Sequence, residues 1–453
     1  MALPIAIGLG GQGLLFVIDT VMAGRLGVVS LAAAAFSGNL LAPIYVFGLG
    51  LAVAVPVLTA QGRGAGRPEH GAAALLHGLL ITGVFGTLMG LAVHVGVHFG
   101  MLEVLAHGLG MKTSQEVITE AEGFAILLGW SFLPGLLFQC LKNHREAVGQ
   151  PWVSLQWLVV GIVVNAVANW VFMFGNLGVP AMGLAGAGLG TLLGRTAMLI
   201  GLARYSDWRL VRWRNGIRWR WVRASLALGI PSAAQWTFES GIFAIAPLLI
   251  GRFGNEQLAA HQVANSLVSF AFMIPLGISQ GASIRVGEAF GARDKGAMRR
   301  IAAGALLFAG LFMGLYSVFV AVFRHWIPLL FLTEPLSPTT LAFAADFILV
   351  AAAFGLCDGL QVVASGALRG MSDVKFTSVA AFVSYWLVCL PVGWMLGNWC
   401  GLEGLGIWIG LAVGLFVATV ALNLRLWQKL RGHTTSVPLP SVPSGGDSGT
   451  HEG

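Results

Sequence analysis

Charge is what this chain has least of. Asp, Glu, Lys and Arg make up 10% of its 453 residues while 57% are hydrophobic, and mean hydropathy is +0.81. Soluble domains carry about 25% charged residues, so a soluble fold is excluded and an all-α polytopic membrane protein is expected. Cysteine is also scarce. Cys140, Cys357, Cys389 and Cys400 show no CxxC or metal-ligand spacing, so they read as packing residues and no structural metal is expected. The first apolar run lacks a basic n-region and a small-residue cleavage site, which argues for a retained helix and against a signal peptide. Missing too are HExxH, a motif of paired catalytic aspartates, and a Ser or Cys nucleophile with its base. An intramembrane enzyme is therefore not expected, nor is a cofactor.

What is present is a series of apolar segments near 2–23, 34–60, 71–102, 120–141, 151–174, 182–204, 224–250, 258–284, 299–331, 340–368, 374–398 and 403–428. Each is long enough to cross a bilayer at about 20 residues per helix. The 63 glycines suit close helix packing in lipid. We divide the chain into an N-lobe at 1–205, a basic connector at 206–223, a C-lobe at 224–432 and a tail at 433–453. The tail is rich in Ser, Pro, Gly and Thr, a composition expected to stay disordered.

Positive charge is distributed unevenly. Of the 26 Lys and Arg, 21 fall on one side of this segmentation, only Arg25, Lys112, Arg252 and Arg324 fall on the other, and Arg195 lies inside a helix. Basic loops stay in the cytoplasm, so both termini are expected there, in a protein of the inner (plasma) membrane. Topology accounts for the basic pI, and the connector's Trp208, Trp213, Trp219 and Trp221 suit an interface with lipid. Lipid is the expected partner, nucleic acid is not, and a monomer is expected.

The sequence repeats with an offset of 227 residues. Pro4, Gly24-Arg25-Leu26-Gly27 and Leu31-Ala32-Ala33 return as Pro231, Gly251-Arg252-Phe253-Gly254 and Leu258-Ala259-Ala260. Likewise Gln61-Gly62-Arg63-Gly64-Ala65 returns as Glu288-Ala289-Phe290-Gly291-Ala292. Two six-helix halves that enter from the same side are parallel repeats related by an axis along the membrane normal, with a cavity between the lobes. Rocking the lobes exposes such a cavity to each side in turn, which is a transporter's geometry.

Three carboxylates lie inside the apolar segments: Asp19, Glu239 and Asp358. An acid at the bilayer centre costs about 2.5 to 3.5 kcal/mol on insertion scales, so each is a candidate for binding a proton or cation on one side and releasing it on the other. The repeat maps Glu239 onto Gln12 and Asp19 onto Ala246, seven residues apart in each half and so on nearly the same helix face. No acid is duplicated; the first lobe has one and the second has two.

The run Asp19-Thr20-Val21-Met22-Ala23-Gly24-Arg25-Leu26-Gly27, its partner Gly251-Arg252-Phe253-Gly254 with Leu258-Ala259-Ala260-His261-Gln262, the stretch from Gly281 to Asp294, and Gly366-Ala367-Leu368-Arg369-Gly370 together resemble the multidrug and toxic compound extrusion family, MATE. The resemblance spans about residues 3 to 430 and is nearest the NorM-like bacterial exporters. It implies a two-lobed antiporter of twelve helices that expels cationic amphipathic compounds while Na⁺ or H⁺ flows inward. By the same resemblance, Asp19, Glu239 and Asp358 are the cation-coupling acids and the positions where Na⁺ would bind. Asn165 and Asn169 complete the pocket of Asp19, and Pro4 lets the first helix bend when Asp19 changes protonation. One departure is Phe354, where some members carry Tyr one turn before the second acid; its ring offers a cation–π face but no oxygen.

Phe16, Trp130, Phe138, Gln139, Trp236, Phe238, Phe243 and Trp386, with Phe354, are candidates to line an aromatic pocket for organic cations. A lipid or oligosaccharide-lipid flippase of related architecture is the alternative. Anionic headgroups would then call for a more cationic cavity, whereas the intramembrane charge is mostly acidic.

Overall fold

The computed structural model describes residues 2–108, 114–205, 217–331 and 338–432. Among the described residues, twelve helices are long and apolar enough to cross a membrane: α1 (Leu3–Leu26), α2 (Val28–Gly64), α3 (Glu69–His98), α4 (Gln115–Ala147), α5 (Pro151–Phe174), α6 (Leu184–Arg204), α7 (Trp219–Phe253), α8 (Asn255–Gly291), α9 (Lys295–Val322), α10 (Pro338–Gly370), α11 (Val374–Asn398) and α12 (Glu403–Arg431). Every apolar segment of the sequence has its helix. The edges differ where one residue sets the boundary. Gly27 at φ 130° is the whole break between α1 and α2, so α2 begins earlier than its most apolar stretch. Gly100 at φ 74° ends the run of α3 and starts a separate short helix, Met101–Gly108. Trp219 to Arg223 belong to α7 and not to a connector; residues 206–216 and the tail from 433 lie outside the described residues, as does Lys112.

Lipid explains the outer surface. On α9, Leu307, Phe308, Leu311, Leu315, Val318 and Phe319 recur at helical spacing and are all exposed, an apolar stripe that only hydrocarbon would solvate. Inside, α1–α6 and α7–α12 have their own cores. Phe36, Phe124, Phe132 and Met173 anchor the first; Phe347, Phe354, Tyr385 and Trp408 anchor the second. Small residues set the spacing of the helices: a Cβ on Gly186 would stand 2.6 Å from the backbone nitrogen of Met173, and one on Gly410 would stand 2.4 Å from Gly393 Cα. Neither α6 on α5 nor α12 on α11 could approach so closely with a larger residue.

At one end of the molecule the two lobes touch. A Cβ on Gly50 would meet Ala233 Cα at 2.2 Å, and one on Gly277 would meet Ala6 Cβ at 2.5 Å. Ile5, Ala60, Ala147 and Ile284 form an apolar cluster across the seam. Gln61 Nε2 donates to the Gly370 carbonyl oxygen and to Ser372 Oγ, both at 2.8 Å, and Arg63 faces Glu288 at 4.0 Å. This is the end that carries the basic segments around Arg63, Arg285 and Arg293. Beyond the seal the lobes part and leave the central cavity.

Candidate functional site in the cavity between the lobes

The cavity measures about 700 Å³ and is walled by helices of both lobes. Its lining climbs from Gln12, Gln139, Gln235, Gln280 and Arg369 near the seal to Leu31, Ala34, Leu184 and Asn265 towards the far helix ends. All three intramembrane acids, Asp19, Glu239 and Asp358, lie on this wall.

Asp19, on α1, sits in a cradle built by two other helices, α5 and α6. Asn165 and Asn169 stand four residues apart on α5 and so share a face; their Nδ2 atoms donate to Asp19 Oδ1 at 3.1 and 2.6 Å. From α6, Thr191 Oγ1 donates to Asp19 Oδ2 at 2.8 Å. Hydrogen bonds to a charged group contribute about 1.5 to 3 kcal/mol each, so three of them hold the carboxylate firmly. The α5–α6 approach depends on glycine. A Cβ at Gly190 would stand 2.0 Å from Asn169 Oδ1, and one at Gly194 would stand 2.9 Å from Asn165 Cβ. Thus Gly186, Gly190 and Gly194 form the face of α6 that packs on α5, while Leu184, Ala187, Thr191, Arg195 and Met198 form the face that meets the cavity.

The C-lobe wall is different. Glu239 on α7 lies within electrostatic reach of both Asp358 and Arg369 on α10. Ser365 Oγ accepts from Gln235 Nε2 at 2.7 Å and from Arg369 Nη2 at 3.4 Å. The Arg369 guanidinium lies 5.5 Å from the Trp236 ring centroid. Arg369, which the sequence places with the basic loops, is thus buried at the deep end of the cavity. Lys142 is interior too, paired with Glu146 at 3.0 Å. Among the described residues, no direct ion pair is formed by Asp19, Glu239, Asp358, Arg195 or Arg369.

The aromatic candidates divide. Phe138, Gln139, Trp236 and Phe243 line the cavity. Phe238 does not: it packs on Phe382 and Trp386, with centroids 5.2 and 6.5 Å away. Phe354 does not either, because its ring is stacked 6.0 Å from Trp408 in the C-lobe core. Trp130 packs near His94 and also falls outside the lining. The Phe16 side chain lies outside the described residues. Pro4 is in the first turn of a helix that runs unbroken from Ala2. Its missing N–H costs no intrahelical bond there, so the ring does not by itself interrupt the helix. Sequence reasoning missed Thr191, Gln235 and Gln280. The first was findable, since Thr191 and Arg195 are the polar pair at a four-residue spacing opposite the glycine face of α6.

A model of the MatE family matches residues 4–171 and 231–395, starting at the two repeat-related prolines. The chain belongs to the MatE family. Two relatives, each called probable multidrug resistance protein NorM, are 35% identical. The one from Bradyrhizobium diazoefficiens covers 94% of this chain and 91% of its own, and the one from Mesorhizobium japonicum covers 95% and 92%. The Vibrio cholerae MATE transporter VcmN in its bent form shares the fold, with a TM-score of 0.83 over 95% of each chain at 19% identity. The eukaryotic MATE transporter AtDTX14 does so with a TM-score of 0.82 over 95% of each chain at 22% identity. This MatE protein is therefore a multi-pass membrane transporter with twelve candidate membrane helices among its described residues, and its cargo is a small molecule and not a substrate for catalysis.

Proposed function

We propose that this MatE protein exports cationic amphipathic compounds, multidrug substrates among them, by exchange against Na⁺ or H⁺. The observation that carries the reading is the placing of three carboxylates on both walls of one inter-lobe cavity whose lining is otherwise mainly apolar and aromatic, with neutral amides and hydroxyls and the two arginines Arg195 and Arg369 among it. Trp236, Phe138 and Phe243 offer π faces to an organic cation, and the acids offer charge. The names of the NorM relatives point the same way.

Asp19, with Asn165, Asn169 and Thr191, serves as the coupling site of the N-lobe; Glu239 and Asp358 serve as the second site. Under the rule that basic loops are cytoplasmic, the sealed end faces the cytoplasm of a cell whose inner membrane holds the protein, with both termini inside. On this reading the sealed cytoplasmic end and the cavity beyond it correspond to the outward-open state of an alternating-access cycle. In that state cargo leaves, and the coupling ion binds the acids before the seal at Gln61, Gly370 and Glu288 opens. The protein acts as a monomer, because the cavity is complete within one chain.

The test is efflux of a fluorescent organic cation from proteoliposomes under separately imposed Na⁺ and H⁺ gradients, for the parent and for Asp19→Asn, Glu239→Gln and Asp358→Asn. One gradient should drive efflux and Asp19→Asn should abolish it. Efflux that needs neither gradient, or that survives all three substitutions, would sink the antiport reading.

A further inference from the structure

We propose that Arg195 is a docking point for an anionic group on the cargo, so that the cavity takes zwitterionic amphiphiles with their cationic end at the acids and their anion at this guanidinium. The proposal rests on the export reading and names a substrate class for it.

An arginine inside a membrane helix is costly and faces a partner or a water-filled cavity. Arg195 lies mid-way along α6 and lines the cavity. Its Nη1 donates to Ser131 Oγ at 2.9 Å, and its Cζ lies 4.2 Å from the centroid of the Tyr45 ring. Both partners are neutral. Asp19 is within electrostatic reach, but its oxygens already accept from Asn165, Asn169 and Thr191, and it forms no direct ion pair with Arg195.

The guanidinium carries five N–H donors in a planar fork. Ser131 takes one of these donors, and the remaining guanidinium nitrogens are not among the fully buried unpaired atoms, so they keep some accessible surface on a side chain that lines the cavity. The ring of Tyr45 fixes the plane of the fork. Gly135 makes room for the stack, since a Cβ there would stand 2.8 Å from Tyr45 Oη and 3.0 Å from Arg195 Cδ. A fork held in one plane by neutral contacts is preorganised for a carboxylate or similar anion, which it binds bidentately.

The other cavity arginine is more enclosed. Arg369 is buried, bonded to Ser365, set over Trp236 and within reach of Glu239, and its unpaired Nε is sealed from any cargo. Arg195 is thus the cation of the N-lobe wall left for cargo, facing a C-lobe wall that bears Glu239 and Asp358. A molecule with separated amine and carboxylate groups matches that polarity, whereas a simple cation leaves Arg195 without an anion.

The experiment uses two rhodamine dyes that differ only in an ester against a free carboxylate, one a cation and the other a zwitterion at neutral pH. Efflux of each is measured in proteoliposomes of the parent, Arg195→Gln and Arg195→Lys. The parent should export the acid, and Arg195→Gln should lower the acid-to-ester rate ratio about tenfold, the loss of one charge-assisted contact. Arg195→Lys, which keeps the charge, should hold most of the ratio. An unchanged ratio in Arg195→Gln, or a parent that exports only the ester, overturns the proposal and leaves cation export standing. If neither dye moves in the parent, the export reading falls and this one with it. Arg195-dependent movement of a labelled phosphatidylglycerol in place of the acid dye also overturns it, in favour of a lipid anion.

Discussion

Gly64 and Gly291 are equivalents in the internal repeat, and each rests on the backbone of the other's motif. A Cβ on Gly64 would stand 1.8 Å from the Glu288 carbonyl oxygen, and one on Gly291 would stand 2.0 Å from that of Gln61. Since Gln61 and Glu288 are themselves repeat partners, the contact is two-fold related within one chain. The sequence motif that betrays gene-level duplication is also the surface on which the two lobes close.

That closure has a testable consequence. A backbone oxygen cannot swing aside as a side chain does, so Gly64→Ala must push α2 from α8 and loosen the seal. With the four native cysteines replaced and a cysteine placed at buried Ala60, labelling by an impermeant maleimide from the sealed side should accelerate at least about tenfold in Gly64→Ala. Gly24→Ala, whose Cβ would meet nothing within 4 Å, should leave the rate as it is. Equal rates would show that the glycine crossing does not hold the lobes together.

The Asp19 cradle predicts graded losses. Thr191→Val removes the 2.8 Å donor to Asp19 Oδ2, a bond to a charged group contributing about 1.5 to 3 kcal/mol. The coupling-ion concentration for half-maximal efflux should shift by roughly tenfold or more, and Thr191→Ser should restore it. If Thr191→Val and the parent respond alike to the ion, the cradle does not set its affinity.

Gly190 acts on the same site at one remove. Its added Cβ would fall 2.0 Å from Asn169 Oδ1, so Gly190→Ala should turn the Asn169 amide away and break its 2.6 Å bond to Asp19. Efflux should then drop as far as in Asn169→Ala. The double variant should be no worse than either single one, because residues acting through one contact are not additive. Additive losses would mean that Gly190 serves packing alone.

How far the sequence revealed this arrangement depended on which physical rule governed each residue. Helix positions follow from apolar length, so all twelve segments were visible, and the acids stood out because their cost in lipid is intrinsic to the residue. Asn165 and Asn169 came through family likeness and a shared helix face. Phe354 and Phe238 misled, since an aromatic ring looks the same in sequence whether it faces a cavity or Trp408. Arg369 misled for a different reason: it ends an apolar run and counts as a loop charge, yet α10 continues to Gly370 and buries it. Thr191 showed only as a polar residue four positions before Arg195, with nothing to join it to Asp19. Only the packing of α6 on α5 through Gly190 and Gly194 shows which face of the helix reaches Asp19.

The ion pair of Lys142 with Glu146 supplies a stability prediction separate from transport. Both side chains are almost fully buried on α4 near the sealed end, 3.0 Å apart and one helical turn from each other. Removing one member leaves the other charged and without its counter-ion, which costs about 3 to 5 kcal/mol, whereas replacing both with apolar groups of similar volume is close to neutral. Lys142→Met should therefore lower the thermal midpoint in detergent markedly, and Lys142→Met combined with Glu146→Leu should recover most of the loss. Fluorescence-detected thermal unfolding of the purified variants separates the outcomes. A double variant as unstable as the single one would mean that the pair is held by its wider polar surroundings and not chiefly by mutual charge. On the same stretch of α4, Gln139 Nε2 donates to Asn143 Oδ1 at 2.9 Å and Asn143 Nδ2 donates to the Ala52 carbonyl oxygen of α2 at 3.2 Å, so polar groups able to share that role lie within a turn or two of the pair.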